Sequence, residues 1–165
     1  MHYWLFKSEP EEFSFNNLQQ AEQGRTVWDG VRNYQARNLM RDRMAVDDLA
    51  FFYHSSCKQP AIVGICRITA TQVPDPSAFD TQSPYFDAKS TPDSPRWITV
   101  ELCAEQALHT PVPLSLIKQQ PVLDDMVLVR NPRLSVQPVS HQHSTLEAGT
   151  IVISELPPSL RHYSK

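Results

Sequence analysis

The sequence predicts an α+β fold, a small mixed β-barrel of about five or six strands with short helices at its periphery. Three observations predict it. Aromatic and β-branched runs of strand length recur along the 165 residues, at 2–6, 49–53, 61–69, 96–103 and 133–139. The segments of helical character between them are short. Strands joined mostly without long helical crossovers favour a compact barrel over a doubly wound parallel sheet.

Residues 2–6 are rich in aromatics and read as a buried first strand. It ends at Lys7-Ser8-Glu9-Pro10, where proline cannot continue a ladder but suits the first turn of a helix. Lys7 and Ser8 therefore sit at a strand end, where side chains can face a pocket. Ser14 caps a short helix running to about Gln23, with Leu18 and Ala21 inward and Gly24 as its stop. From Tyr34 to Arg43 there is neither proline nor glycine, so a second helix is expected, with Leu39, Met40 and Met44 as apolar cover. Asp47-Asp48 turns the chain into the strand at 49–53. A polar hairpin at 54–60 leads to the returning strand, in which Gly64 signals a bulge or a close backbone approach.

Residues 74–95 form a long polar connection with five prolines (74, 76, 84, 92 and 95), pinned by Tyr85 and Phe86. Connections of this length are usually functional or mobile. In 96–103, Trp97, Thr99 and Glu101 alternate with Ile98, Val100 and Leu102, as in a strand. Thr110-Pro111-Val112-Pro113 reads as a turn into a short helix at 114–120, and 127–129 as a strand or a helix end. Residues 133–139 are extended, Ser140 caps a helix through Glu147, and an apolar run at 151–153 precedes a loosely held tail. A single domain over 1–155 with a tail at 156–165 is the expected organisation.

Apolar residues at 41% and charged residues at 20% are ordinary for a globular protein. A net charge of −3 gives no global basic field. Locally the balance differs, with five arginines against two aspartates between Arg25 and Arg43. Cys57, Cys66 and Cys103 are odd in number and form no CxxC pair, which argues against a disulfide framework and a structural zinc site. With no signal-peptide pattern at the start and no bilayer-length apolar run, the expectation is a cytoplasmic protein, nuclear if eukaryotic, without a membrane partner.

Catalysis finds little support. The sequence lacks a GxSxG elbow and a P-loop. His141 and His143, at i and i+2, do not share a helix face, so no metal is expected. Cys57 with His54 has no orienting carboxylate nearby. The pairs Asp47-Asp48 and Asp124-Asp125 mark turns. No cofactor is expected.

Binding is better supported by Val27-Trp28-Asp29-Gly30-Val31-Arg32-Asn33-Tyr34-Gln35-Ala36-Arg37-Asn38. An aromatic plane, a glycine turn and forked hydrogen-bonding groups suit a grip on a flat polar ligand such as a base. Packed aromatics beside a solvated arginine face is the plainer alternative. Arg32, Arg37 and Arg41 recur at near-helical spacing and could meet phosphates.

That stretch, with Tyr3-Trp4-Leu5, Lys7-Ser8-Glu9-Pro10, Phe52-Tyr53-His54-Ser55, Val63-Gly64-Ile65, Pro74-Asp75-Pro76, Pro95-Arg96-Trp97 and Arg133-Leu134-Ser135-Val136-Gln137-Pro138-Val139, resembles the EVE domain family. The resemblance runs from about Tyr3 to Ile153; Cys57 and the segment 141–147 depart from it. It implies a PUA-like fold, related to the YTH domains that hold a methylated adenine in an aromatic cage. It also implies a non-enzymatic module that binds a modified nucleobase in DNA or RNA, most simply as a monomer. Carried over, Trp28 is the first cage wall and Trp97 the second, with Val31 beside them. Lys7 and Ser8 close the first strand, and Asn33 hydrogen-bonds the base edge. Tyr53, His54 and Ser55 line the rim, and Leu134, Ser135 and Val136 close the far side. The competing reading is an enzyme or a sensor of free nucleosides using the same pocket.

Overall fold

Period-two burial in the first strand sets the architecture. Trp4 and Phe6 enter one apolar cluster and Tyr3 and Leu5 another, on opposite faces of one sheet. The structure is a computed structural model that describes residues 1–140. Its elements are β1 (Tyr3–Ser8), α1 (Phe15–Gln20), β2 (Arg25–Val27), α2 (Tyr34–Asp42), β3 (Leu49–His54), β4 (Ala61–Pro74), β5 (Ile98–Pro113), α3 (Leu114–Lys118), α4 (Val127–Arg130) and β6 (Val136–Val139). The expected helix after Ser140, at 141–147, the run at 151–153, the boundary at 155, and His141 and His143 lie outside the described residues.

The six strands form a single mixed sheet in the order β2-β5-β4-β3-β1-β6. β1 and β3 are parallel, and the other pairs are antiparallel. The α+β class and the strand number agree with expectation, but the sheet is not closed into a barrel. Its two edges explain this. β2 is only three residues long. β6 carries Pro138 opposite Trp4, and a residue without an N–H is suited to an edge. Helices cover both faces instead. Phe15 and Leu18 of α1 and Ala36 and Met40 of α2 complete the first cluster. Ile117 of α3 and Leu128 of α4 join the second. A sheet buried on both faces explains why β1 and β3 read as continuous apolar runs.

Ser14 caps α1 through a full capping box with Asn17. The helix stops at Gln20, earlier than expected, because Ala21 is extended (φ −65°, ψ 160°), and a 3-10 turn at Glu22–Gly24 follows. β5 is far longer than the sequence suggested. It runs through the expected turn at 110–113, where Val112 pairs with Ile62 and Pro113 with Ala61. Prolines 111 and 113 mislead because Pro111 sits where the register shifts between the Ala107 and Val112 pairings, and Pro113 is the last residue of the strand. Asp48, read as a turn residue, is buried. It accepts hydrogen bonds from the Trp4 indole (2.9 Å) and the Ala45 N–H (3.0 Å), joining β1 to the entry of β3.

Gly64 meets both parts of its expectation. The β4–β5 register shifts between Ile62 and Gly64. A Cβ there would lie 2.5 Å from the Phe15 ring. Replacing Gly64 with alanine should therefore push α1 off the sheet and cost about 1–3 kcal/mol. A lower urea midpoint with unchanged m-value checks this; an unchanged midpoint would show the ring moves freely aside.

Candidate functional site

The parallel pair ends at one place, and the chain builds a cleft there. Beyond β1 and β3 the Ser55 N–H donates to the Ser8 carbonyl (2.9 Å), and the Lys7 N–H donates to the Ser135 carbonyl (2.9 Å). Three segments distant in sequence thus meet at the carboxyl ends of β1 and β3. The cleft between them and the Trp28 turn has a volume of about 620 Å³. Lys7, Ser8, Ser55 and Ser135 line one part. Trp28, Val31, Arg32 and Asn33 line the other.

The Trp28 turn is fixed by backbone bonds. The Trp28 N–H donates to the Val100 carbonyl (2.9 Å) and the Asp29 N–H to the Val27 carbonyl (3.0 Å). Gly30 has φ +80°, and a Cβ there would lie 2.7 Å from the Tyr85 ring. Only glycine satisfies both constraints. Trp28 itself is core, with 8% of its surface accessible. Phe6, Phe13 and Phe52 meet it nearly at right angles, at centroid distances of 5.5, 6.2 and 5.6 Å. Among the described residues its indole N–H has no hydrogen-bond partner. The cage-wall expectation is thereby narrowed: Trp28 offers the cleft a strip of ring, and an open stacking face is absent.

Trp97 does not line the cleft. It is buried, its indole N–H donates to Asp87 (2.8 Å), and its ring stacks on Tyr34 at 4.9 Å with the Arg32 guanidinium 4.8 Å from its centroid. Tyr53 faces the second apolar cluster. Burial, and then the Cys57 thiol, push its phenol up to about 12. Leu134 and Val136 are buried in the first cluster. His54 accepts a hydrogen bond from the Phe15 N–H through Nε2 (3.1 Å), and burial pushes its pKa down. The neutral ring anchors the start of α1. The Cys57 thiol reaches only the His54 carbonyl (3.8 Å), so the two do not form a nucleophile and base.

The arginines expected to meet phosphate are otherwise engaged. Arg32 donates to Asp75 (2.8 Å), to Ser77 (3.2 Å) and twice to the Tyr85 carbonyl (2.7 and 3.0 Å). Arg37 donates to Asn38 and to the Arg96 carbonyl and lies 4.7 Å over the Tyr34 ring. Arg41 forks onto Asp42. Asn33 caps α2 by accepting from the Ala36 N–H (2.9 Å), which leaves its amide nitrogen as the group available to a ligand.

Other groups complete the cleft, and the sequence reading missed them as ligand contacts: Phe13, Asp29, Tyr85 and Arg133. Asp29 was visible inside the Trp28 stretch, and Tyr85 as an aromatic in a polar loop. Phe13 and Arg133 carried no local signal. Lys7 donates to the Pro132 carbonyl and lies 5.9 Å over the Tyr53 ring. Burial lowers its pKa. Among the described residues no group of three His, Cys, Asp or Glu side chains could hold a metal, and no helix is long and apolar enough to cross a membrane.

The EVE domain family profile matches residues 2–146. The chain belongs to the EVE domain family. Mouse thymocyte nuclear protein 1 is 39% identical over 158 residues, covering 86% of this chain and 70% of that protein. An uncharacterized protein from Schizosaccharomyces pombe is 41% identical over 150 residues, covering 83% and 63%. This EVE domain thus spans about two thirds of the length of such relatives. Among solved structures, one from Pseudomonas putida has a TM-score of 0.78 at 49% identity, covering 84% of this chain and 91% of its own. The structure of human THYN1 in complex with 5-methylcytosine-containing DNA has a TM-score of 0.80 at 37% identity, covering 85% and 91%.

One carboxylate ties this EVE domain's cleft together. Burial alone would raise the pKa of Asp75, but hydrogen bonds from Ser77, Arg32 and the Gly30 N–H outweigh burial and hold it below the ordinary aspartate value. A depressed folded pKa stabilises the fold above the unfolded-state value, and that contribution is lost as pH falls through the folded one. Melting temperature should therefore drop as pH falls below the ordinary aspartate range, and Asp75→Asn should flatten part of that slope. At neutral pH the variant should lose roughly 2–3 kcal/mol. Thermal melts of both proteins across acid pH check this.

Proposed function

We propose that this EVE domain is a non-catalytic nucleic-acid-binding module that takes a modified base, methylated or hydroxymethylated, into the cleft at the ends of β1 and β3. One observation carries the reading: the chain keeps a cleft lined by aromatic and hydrogen-bonding groups on a fold shared with human THYN1, which has been seen in complex with 5-methylcytosine-containing DNA. The vertebrate relatives are named nuclear proteins, and a nucleic-acid partner fits that compartment. The PUA-like relationship is kept, with the sheet left open.

The roles follow from accessibility. Tyr85, exposed at the rim, and Phe13 are the rings placed to stack on a base, with the Trp28 strip between them. Ser8, Asn33, Ser55 and Ser135 supply hydrogen bonds to its edge. Lys7 and Arg133 are the cations placed to meet phosphate, taking over what the sequence assigned to Arg32, Arg37 and Arg41. A duplex hides its base edges, so the base enters from a single strand or after flipping. A buried methyl group adds about 0.8 kcal/mol and each stacked ring roughly 1–3 kcal/mol. Stacking is common to the modified and unmodified base, so the methyl group alone sets the preference at about fourfold.

Titration against single-stranded DNA and RNA oligonucleotides carrying one cytosine or one 5-methylcytosine, at two salt concentrations, tests this. The methylated strand should bind about fourfold more tightly. Tyr85→Ala should weaken binding about tenfold, and Arg133→Ala should weaken it and shrink the salt slope by about 0.7. Binding of the free nucleoside alone, or of nothing, would overturn the reading.

A further inference from the structure

5-Methylcytosine and thymine carry the same methyl group at C5. An apolar wall that welcomes one welcomes the other. They differ at C4, where cytosine presents an amino donor and thymine a carbonyl acceptor. A cleft that reads the methyl group therefore needs a hydrogen-bond acceptor aimed at C4 if thymine, abundant in DNA, is to be refused. We propose that the Asp29 carboxylate is that acceptor, selecting bases by their exocyclic amino group. The inference rests on the base-binding reading and deepens it.

Asp29 lines the cleft directly beside Trp28. Among the described residues its side chain makes no hydrogen bond or ion pair with another residue. The other aspartate of this corner is spent, since Asp75 already accepts from Gly30, Arg32 and Ser77. The Asp29 backbone is immobilised on both sides. Its own N–H donates to Val27, Trp28 is anchored to Val100, and the Gly30 N–H is held by Asp75 at 2.9 Å. A short side chain on a fixed turn keeps a constant position relative to the Trp28 ring. Glu9 and Glu12 also reach the cleft, but from an exposed turn after β1 and on longer side chains. Desolvation, and then the Asp75 carboxylate, raise the Asp29 pKa, while its own backbone N–H and Arg32 lower it in part. A carboxylate so placed gains from an amino donor and repels the O4 of thymine.

Single-stranded oligonucleotides carrying one 5-methylcytosine or one thymine in the same context, titrated against the wild type, Asp29→Asn and a Glu9→Gln/Glu12→Gln double variant, test it. The wild type should favour 5-methylcytosine over thymine by about tenfold or more. In Asp29→Asn, whose amide can donate as well as accept, that ratio should collapse to within about twofold. The melting temperature should not fall, because the side chain holds no other residue in place and its charge is disfavoured by burial and by Asp75. A retained ratio in Asp29→Asn overturns the proposal. Loss of the ratio in the double variant alone also overturns it, placing the acceptor after β1. Equal wild-type binding of both strands removes Asp29's role while leaving the base-binding reading intact. Failure to bind either strand removes that reading and this inference with it.

Discussion

Four hydrogen bonds converge on the carboxylate of Asp75, and the geometry of the cleft depends on them. One oxygen accepts from the Ser77 N–H and hydroxyl, at 2.8 and 2.6 Å. The other accepts from the Gly30 N–H and the Arg32 guanidinium, at 2.9 and 2.8 Å. The first pair starts the long connection after β4, and the second pair fixes the turn that carries Trp28 and Asp29. The Asp75 N–H also donates to the Trp97 carbonyl at 2.9 Å, so the connection is closed where it begins and ends. Between those ends Tyr85 lies against Gly30, and its carbonyl takes two more bonds from Arg32. A buried carboxylate is tolerable only when fully satisfied. Here that requirement forces two distant segments to assemble in one arrangement.

The same clamp reassigns the arginines. Spacing on a helix says which side chains share a face, and cannot say whether that face meets solvent or another segment. Arg32 precedes α2 and turns back onto Asp75 and Tyr85, stacking on Trp97 as it does so. Arg37 follows it onto the Tyr34 and Trp97 rings. Guanidinium stacked on aromatics, with carbonyls as acceptors, replaces the expected phosphate track. Tyr34 and Trp97 thereby pack against the arginines beside the 74–95 connection, while Phe13 and Tyr85 line the cleft.

How legible the protein was in its sequence depends on the range of the interaction. Local constraints could be read. The Ser14 cap, the glycine needs at 30 and 64, and the strand-end position of Lys7 and Ser8 each follow from a residue and its immediate neighbours. Pairing across the chain could not. β2 was missed because three residues carry no period, and the length of β5 because prolines 111 and 113 looked like a stop. Of the residues assigned to the site, Lys7, Ser8, Trp28, Val31, Asn33, Ser55 and Ser135 do meet at the cleft. Tyr53 and Val136 fall outside the cleft because neighbours along a strand point to opposite faces, and a sheet covered on both faces buries either one; Leu134, ahead of β6, is buried in the first cluster. Arg133 was read as part of an extended motif but given no role, because its position at the cleft depends on where β6 docks against β1.

The charge distribution constrains how such a module can recognise nucleic acid. The chain carries a net charge of −3, and Lys7 and Arg133 are the cations that line the cleft without being consumed by the clamp. Phosphate contacts supply most non-specific affinity and make it salt-dependent, with a slope of about 0.7 per contact on a single strand. Two contacts yield a shallow slope and little non-specific attraction, and the surrounding negative charge lowers it further. On the proposed function, affinity then has to come from the base, through stacking and hydrogen bonds in the cleft. Those terms depend on which base enters, so weak backbone binding sharpens discrimination: a module that holds every strand poorly spends its residence on the strands whose base fits.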